Sequence, residues 1–373
     1  ANGSFSTTFT IDTQRIGTTT VLVTGMTTKE QDMIFFNIRP RIRLVTPNFG
    51  SVGTVVNLYG DGFGTSENIR IDFGKTATIV QTTTNINGTF STAFTIDAQH
   101  EGTTSVLAKG LTSKEQAGNE CRIFAHITLL SPTVGTVGIW VIVEGDGYGD
   151  GEIIQIDFGT TQTITTVETT GDGTFSVSFT VNPQVYGFTS VRAYGLTSNE
   201  EDSERFIVTV DATTITPNSG AIGTQVLMMG AGYGASETIR ISYGSTKTIA
   251  TCKANEAGLF IVNFTVDTQP WDVASQGSKT VTAYGIVTTA SSSLTFKLIQ
   301  RILKVLPTSG SVGTLVTVWS DGFAPNEPIW NIFGTTQSGL TYYSSAVGTL
   351  TSTFTVDTQP GGTTTITAKA IAN

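Results

Sequence analysis

Apolar and polar residues alternate with a period of two along most of this chain, the mark of strands with one buried face. Val56 and Leu58 share a face in one such segment, as do Val141 and Val143, Val226 and Met228, and Val316 and Val318. A second set reads Ile69, Ile71, Phe73, then Ile154, Ile156, Phe158, then Ile239, Ile241, Tyr243. Further segments carry Phe90, Phe94 and Ile96, and then Val106 and Ala108. The last segment of the pattern places Phe36 and Ile38, Cys121 and Ile123, Phe206 and Val208, and Phe296 and Leu298 toward an interior. No 3.6-residue periodicity accompanies these segments. About seven short strands between glycine-rich turns predict an all-β, two-layer sandwich.

The pattern recurs. P-x-x-G-x-x-G appears at Pro47/Gly50/Gly53, Pro132/Gly135/Gly138, Pro217/Gly220/Gly223 and Pro307/Gly310/Gly313, with prolines 85, 85 and 90 residues apart. A second marker after a glycine turn falls at Phe5, Phe90, Phe175, Phe260 and Leu350. The extra residues of the third copy lie between Pro270 and Gly277. The expected domains are a partial repeat over 1–40 (second half only), full repeats over 41–127, 128–211 and 212–299, and a repeat lacking its last strand over 300–373. Nine residues separate the last core position of one copy from the next motif proline in every case: Ile38 to Pro47, Ile123 to Pro132, Val208 to Pro217, Leu298 to Pro307. Flexible tethers tolerate insertions, and these show none. The expectation is tandem sandwiches docked end to end into an elongated rod or shallow superhelix. A sandwich without its last strand presents an open edge to a neighbouring strand.

With 20 Lys and Arg against 29 Asp and Glu, a net charge of -9 repels a phosphate backbone and excludes nucleic acid as a partner. Two cysteines, Cys121 and Cys252, and two histidines, His100 and His126, supply too few soft ligands for a Cys/His zinc site. Cys121 takes the register position of Phe36, Phe206 and Phe296, where a small buried apolar residue fits. No apolar run reaches the length of a transmembrane helix, and no signal-peptide pattern precedes the first strand. A first residue of Ala rather than Met suggests a processed chain or a segment of a longer one.

The opening P-x-x-G-x-x-G-x-x-V, followed by G-D-G-F or G-x-G-Y and by a strand ending in F-G or Y-G, resembles the IPT/TIG class of immunoglobulin-like domains. The resemblance covers nearly the whole chain. It implies a tandem extracellular module of prokaryotic cell-surface proteins, including surface-layer (S-layer) proteins and adhesins. Two departures stand out: Trp330, Asn331 and Ile332 break the alternation in the last copy, and Ala231 replaces the aspartate of G-D-G. The first predicts a slip or bulge in the pairing there.

The G-D-G turns carry Asp61, Asp146 and Asp321, each followed six residues later by Glu67, Glu152 or Glu327. Such pairs on glycine-rich loops offer oxygens to Ca²⁺, although the spacing is not that of an EF-hand. The alternative is that the aspartate caps a tight turn while glycine takes a positive φ. The G-x-G strings are not followed by a helix, so they lack the N-terminus that a dinucleotide fingerprint requires. Neither histidine has a repeated Ser or Asp partner, and the chain reads as a protein that is not an enzyme.

On the face opposite the core lie Trp140, Ile142, Met229, Leu315 and Trp319, and Trp271 sits in the insertion of the third copy. These are the candidate assembly contacts, since exposed apolar patches mark surfaces for other proteins or modules. Cover from within the same module is the competing reading. Sequons at Asn2, Asn87 and Asn263 permit glycosylation. The functional expectation is a structural, extracellular segment of an S-layer or comparable lattice, whose partner is itself, with cell-envelope glycans as a further candidate. The rivals are an adhesin stalk with its binding tip elsewhere, and a carbohydrate-binding region of a secreted enzyme with exposed aromatics around Trp271 or Trp330.

Overall fold

The computed structural model describes residues 3–371. The chain divides into two compact units, one of Ala1–Pro132, Trp140–Phe179 and Ser190–Arg205, the other of Thr133–Ile139, Thr180–Thr189 and Phe206–Asn373. Every regular element in the described residues is a strand, and no helix is long and apolar enough to cross a membrane.

The first unit opens with a hairpin, Gly17–Thr24 against Gln31–Ile38. Next comes a three-stranded sheet ordered Arg41–Thr46, Val55–Asp61, Phe90–Thr95. A five-stranded sheet runs Phe49–Gly50, Gln116–Ile123, Gly102–Gly110, Asn68–Phe73, Thr76–Thr83. Its short first strand pairs parallel to Gln116–Ile123, and the other neighbours are antiparallel. Val56, Leu58, Ile69, Ile71, Phe73, Val106 and Ile123, all fully buried, fill the space between the sheets. Two sheets closed on such an interior form an immunoglobulin-like sandwich. Cys121 lies in this core as expected, and burial pushes its thiol pKa up.

The same unit holds much of the next copy. His126–Ser131 pairs with Trp140–Asp146. Ile153–Phe158 pairs with Thr161–Glu168 on one side and, through Val191 to Gly195, with Gly187–Gly195 on the other. The register reproduces that of the first copy, including a bulge before the terminal aromatic, at Ile71/Phe73 and at Ile156/Phe158.

The second unit contains the sheet Asp211–Thr216, Gln225–Ala231, Phe260–Thr265 and the five strands Ser219–Gly220, Ser291–Leu298, Ser278–Gly285, Thr238–Tyr243, Thr246–Lys253. It ends with two three-stranded sheets: Arg301–Leu306, Leu315–Asp321, Leu350–Thr355, and Thr336–Tyr343, Pro328–Phe333, Ile366–Ala370. Ile366–Ala370 is therefore an edge strand among the described residues, at the position that Gly102–Gly110 holds inside the five-stranded sheet. All four motif prolines follow cis peptide bonds.

One expectation needs correction. Phe36 belongs to the predicted core series, yet it is 43% exposed, and Phe35, Phe5 and Phe9 are more open still. Residues 4–16 form no strand, whereas their counterparts Phe90–Thr95 do. The hairpin lacks the facing sheet that covers Cys121 and Ile123 in the next copy, so its apolar positions have nothing to bury against. The slip expected at Trp330 to Ile332 is present: the three full copies bulge at Ile71/Phe73, Ile156/Phe158 and Ile241/Tyr243, whereas the last copy shifts one residue earlier, between Trp330 and Ile332. Ile329 and Asn331 are fully buried, but Ile332 and Phe333 are both only half-buried. Asn331 replaces the core isoleucine and donates from Nδ2 to Ser352 Oγ at 2.8 Å, so its amide is satisfied inside the sandwich.

Candidate functional site at the junctions between repeats

The aromatic of each G-x-G-[FY] turn has two roles. Phe63, Tyr148, Tyr233 and Phe323 are buried. Phe63, Tyr148 and Tyr233 meet the aromatic of the second marker edge-on: Phe90 at 5.4 Å, Phe175 at 5.4 Å and Phe260 at 5.2 Å between centroids. In the last copy Phe323 and Leu350 share one apolar cluster. The tyrosine hydroxyls donate to the carbonyls of Ala193 and Ala283. Burial first, and then neighbouring carboxylates, push both phenol pKa values upward, so they remain donors.

The backbone of the same residue faces the preceding copy. Ile16 N–H donates to Phe63 O at 3.0 Å, Glu101 to Tyr148 at 3.1 Å, Tyr186 to Tyr233 at 3.3 Å and Trp271 to Phe323 at 2.7 Å. Each acceptor residue in turn donates its own N–H to a turn glycine, Gly88, Gly173, Gly258 or Gly348. These glycines hold φ between +71° and +76°. A Cβ on Gly173 would lie 2.1 Å from Tyr148 O and 3.0 Å from His100 Cα, so only glycine admits the neighbouring loop. The first two contacts lie within the first unit and the last two within the second. At the contact between Glu101 and Tyr148, Lys75 Nζ also donates to Gly171 O at 2.8 Å, and Arg122 pairs with Glu200 at 2.9 Å.

The acidic residues of the calcium reading are held by protein donors. Glu67 Oε2 accepts the N–H of Gly64, and Oε1 accepts those of Thr112 and Ser113. Glu152 does the same with Gly149, Thr197 and Ser198, and Glu237 with Gly234, Val287 and Thr288. Burial raises the pKa of these three carboxyls, but the summed hydrogen bonds outweigh it and hold each below 4.5. Glu327 accepts from Ala324 N–H. Each glutamate thus closes its own turn, and the first three also clamp a turn far along the chain, for Glu67 the one between Gly102–Gly110 and Gln116–Ile123.

Asp61 takes Arg41 in a two-pronged pair, and Asp321 takes Arg301 at 3.2 Å. Asp146 is buried with Oδ1 lacking a hydrogen-bond partner, while His126, its ladder partner, turns Nδ1 to Asp202 at 3.0 Å. Burial raises the Asp146 pKa, and His126 partly offsets this. At Ala231 the ladder partner is Asp211. The residue opposite the G-D-G position thus changes with it, from Arg to His to Asp. The aspartates and glutamates are engaged separately, and among the described residues no three His, Cys, Asp or Glu side chains gather as a metal set.

Among the assembly candidates, Trp140 at 68%, Leu315 at 61% and Ile142 at 45% are exposed on the outer face of their sheets. Met229 and Trp319 are half-buried, the latter under Lys304 Nζ at 5.4 Å. Trp271 has a different place: its N–H makes the junction bond, and its ring lies so close to Gly277 that a Cβ there would sit 2.3 Å away. Trp330 Nε1 donates to Thr341. Neither tryptophan lines the open clefts of 370–590 Å³, whose walls are residues between Phe9 and Gln116. Cys121 and Cys252 are both free thiols, and burial pushes that of Cys252 up to about 11. Asn87 and Asn263 are exposed, and Asn2 lies outside the described residues.

Sequence reading missed the junction bond because the groups that form it are main-chain atoms. A signal was present nonetheless, since Ile16, Glu101, Tyr186 and Trp271 follow one another at the repeat spacing.

No family model matches the chain, and no curated protein matches its sequence. Among solved structures it is similar to a four-domain ectodomain fragment of ICAM-5, at 13% identity over 89% of this chain and 98% of that one, TM-score 0.21. It is also similar to a Ca²⁺-stabilized ice-binding adhesin of an Antarctic bacterium, at 11% identity over 89% and 97%, TM-score 0.18. A third is the SGBP-B protein of the Bacteroides ovatus mixed-linkage glucan utilization locus, at 11% identity over 86% and 93%, TM-score 0.22. Likeness at that level says neither what this chain binds nor where it acts.

Proposed function

We propose that this chain is a structural segment of an extracellular, cell-surface protein, of the S-layer or a comparable lattice or filament, and that it carries no catalytic activity. Each span of about 85 residues is read as one folding module of a tandem array. The observation that supports this is the repeated junction: one N–H to carbonyl bond and one close-packed glycine recur at all four module contacts. A backbone contact of this kind survives side-chain change, which suits an array that must keep its geometry while its surface varies. Trp140, Ile142 and Leu315, exposed on outer sheet faces, supply apolar area for contact with other copies.

Electron microscopy and light scattering of the purified chain across a concentration series test the reading. Ordered assemblies that disappear on Trp140→Ser and Leu315→Ser substitution are expected. Single particles at every concentration overturn the lattice and leave the adhesin stalk. A parallel series with a chelator tests calcium, which would require these carboxylates to exchange the donors that hold them here; a fall in melting temperature is the result that would establish it.

A further inference from the structure

A motif at the end of the strand Phe90–Thr95 is not used by the junctions. Asp97-Ala98-Gln99 recurs as Asp267-Thr268-Gln269 and Asp357-Thr358-Gln359, and as Asn182-Pro183-Gln184 in the second full copy. Gln99 is 2% exposed and Gln269 4%. Thr76, the first residue of the edge strand Thr76–Thr83, donates its hydroxyl to Asp97 Oδ2. Gln99 Nε2 lies 3.0 Å from Asp97 Oδ1 and 3.4 Å from Thr76 Oγ1. Its Oε1 accepts the N–H of Lys75 at 3.1 Å.

The third full copy repeats the arrangement. Thr246 donates to Asp267 Oδ2, and Gln269 Nε2 lies 2.8 Å from Thr246 Oγ1. Gln269 Oε1 accepts from the N–H and the hydroxyl of Ser245. Gly74 and Gly244, at φ +50° and +51°, leave room for the amide: a Cβ on either would sit 2.2 or 2.9 Å from the glutamine Oε1. This is the glycine of the recurring F-G and Y-G motif.

A hydroxyl with a carboxylate base, next to a water-shielded carboxamide whose oxygen faces N–H donors, is a constellation for acyl transfer. We propose that Thr76 and Gln99, and likewise Thr246 and Gln269, join in intramolecular ester cross-links that the fold itself catalyses. The aspartate takes the threonine proton as Oγ1 attacks the glutamine Cδ. The oxyanion forms on Oε1, facing the backbone N–H. When the carbon–nitrogen bond breaks, the nitrogen recovers that proton from the aspartate and leaves as ammonia. Alcohol and carboxamide become ester and ammonia, the carboxylate is regenerated, and no cofactor or oxidant is consumed. Asn182 in the second copy is an amide and cannot take the proton. In the fourth copy Gln359 is only half-buried, so an ester there stands open to water. The proposal therefore covers the first and third copies, and it stands apart from the assembly reading because it requires only one folded module.

Mass spectrometry of the intact, denatured chain is expected to show a deficit of two ammonia molecules from the sequence mass. The tryptic segment 76–109 contains both Thr76 and Gln99 and should be one ammonia light, with the deficit removed by hydroxylamine as a hydroxamate forms. Thr76→Val and Asp97→Asn should each abolish that deficit and leave the one at Thr246. A full sequence mass for the wild-type chain overturns the proposal whatever the variants do. So does a deficit in segment 76–109 that survives Thr76→Val, because it assigns the loss to ring closure at Asn87-Gly88.

Discussion

The first and second full copies place equivalent strands in equivalent register, yet they close the same ladder position with different chemistry. Arg41 grips Asp61 with two nitrogens, whereas His126 turns to Asp202 and leaves one oxygen of Asp146 buried without a partner. The apolar faces do not differ: Val56 and Leu58, and Val141 and Val143, are all fully buried. Burying one such side chain is worth about 1.5–3 kcal/mol, and an exposed ion pair about 0–1 kcal/mol. The strand order therefore follows from the apolar pattern, and the ladder position is free to vary.

The largest test of that ranking is Phe73→Ala in the first copy beside Phe158→Ala in the second. Both rings are fully buried, and each substitution should cost about 3–5 kcal/mol in chemical denaturation. Equal losses support the ranking, and a much smaller loss in one copy breaks it. Next in size is Gly173→Val, which drives a Cβ into Tyr148 O and His100 Cα from a positive φ. It should cost about 1–3 kcal/mol and expose the Glu101 amide to hydrogen exchange. Unchanged protection of that amide would deny the glycine its role in the junction.

Acid sharpens the comparison further. The lowered pKa of Glu67 and Glu152 contributes stability that is present above 4.5 and lost as pH falls through the folded values. Asp146 has the opposite sign: its pKa is raised, so its contribution is present below 3.8 and lost as pH rises through the folded value. Asp146→Asn should therefore raise the melting temperature at pH 7 and lose that advantage in acid. The smallest effect belongs to Arg41→Ala, expected to leave the denaturation midpoint nearly unchanged, because Arg41 is exposed. A clear fall in that midpoint would mean that the ion pair helps to set the fold.

Much of the sandwich was legible because period-two alternation states which side chains face inward. The same logic failed over residues 4–38, where the pattern is intact but no facing sheet covers it and Phe36 is open. A strand pattern reports the capacity to bury a face, and burial itself needs a second layer. At Asn331 the broken pattern did announce the displaced bulge, but not the Ser352 hydroxyl that satisfies the buried amide. The recurrence of the G-D-G acids was legible in the sequence. Their partners were not legible, because Thr112 and Ser113 lie far along the chain and bind Glu67 through main-chain N–H groups.

By itself the sequence determined the layers, the repeat length and, beyond the opening hairpin, which face of a strand can turn inward, since all three follow from where apolar residues fall relative to a two-residue period. Tertiary structure alone decided what the recurring polar residues do. A carboxylate or a carboxamide accepts from whichever donors the folded chain brings near it, and those donors, the N–H of Lys75 for Gln99 and of Ser113 for Glu67, leave no trace in residue identity.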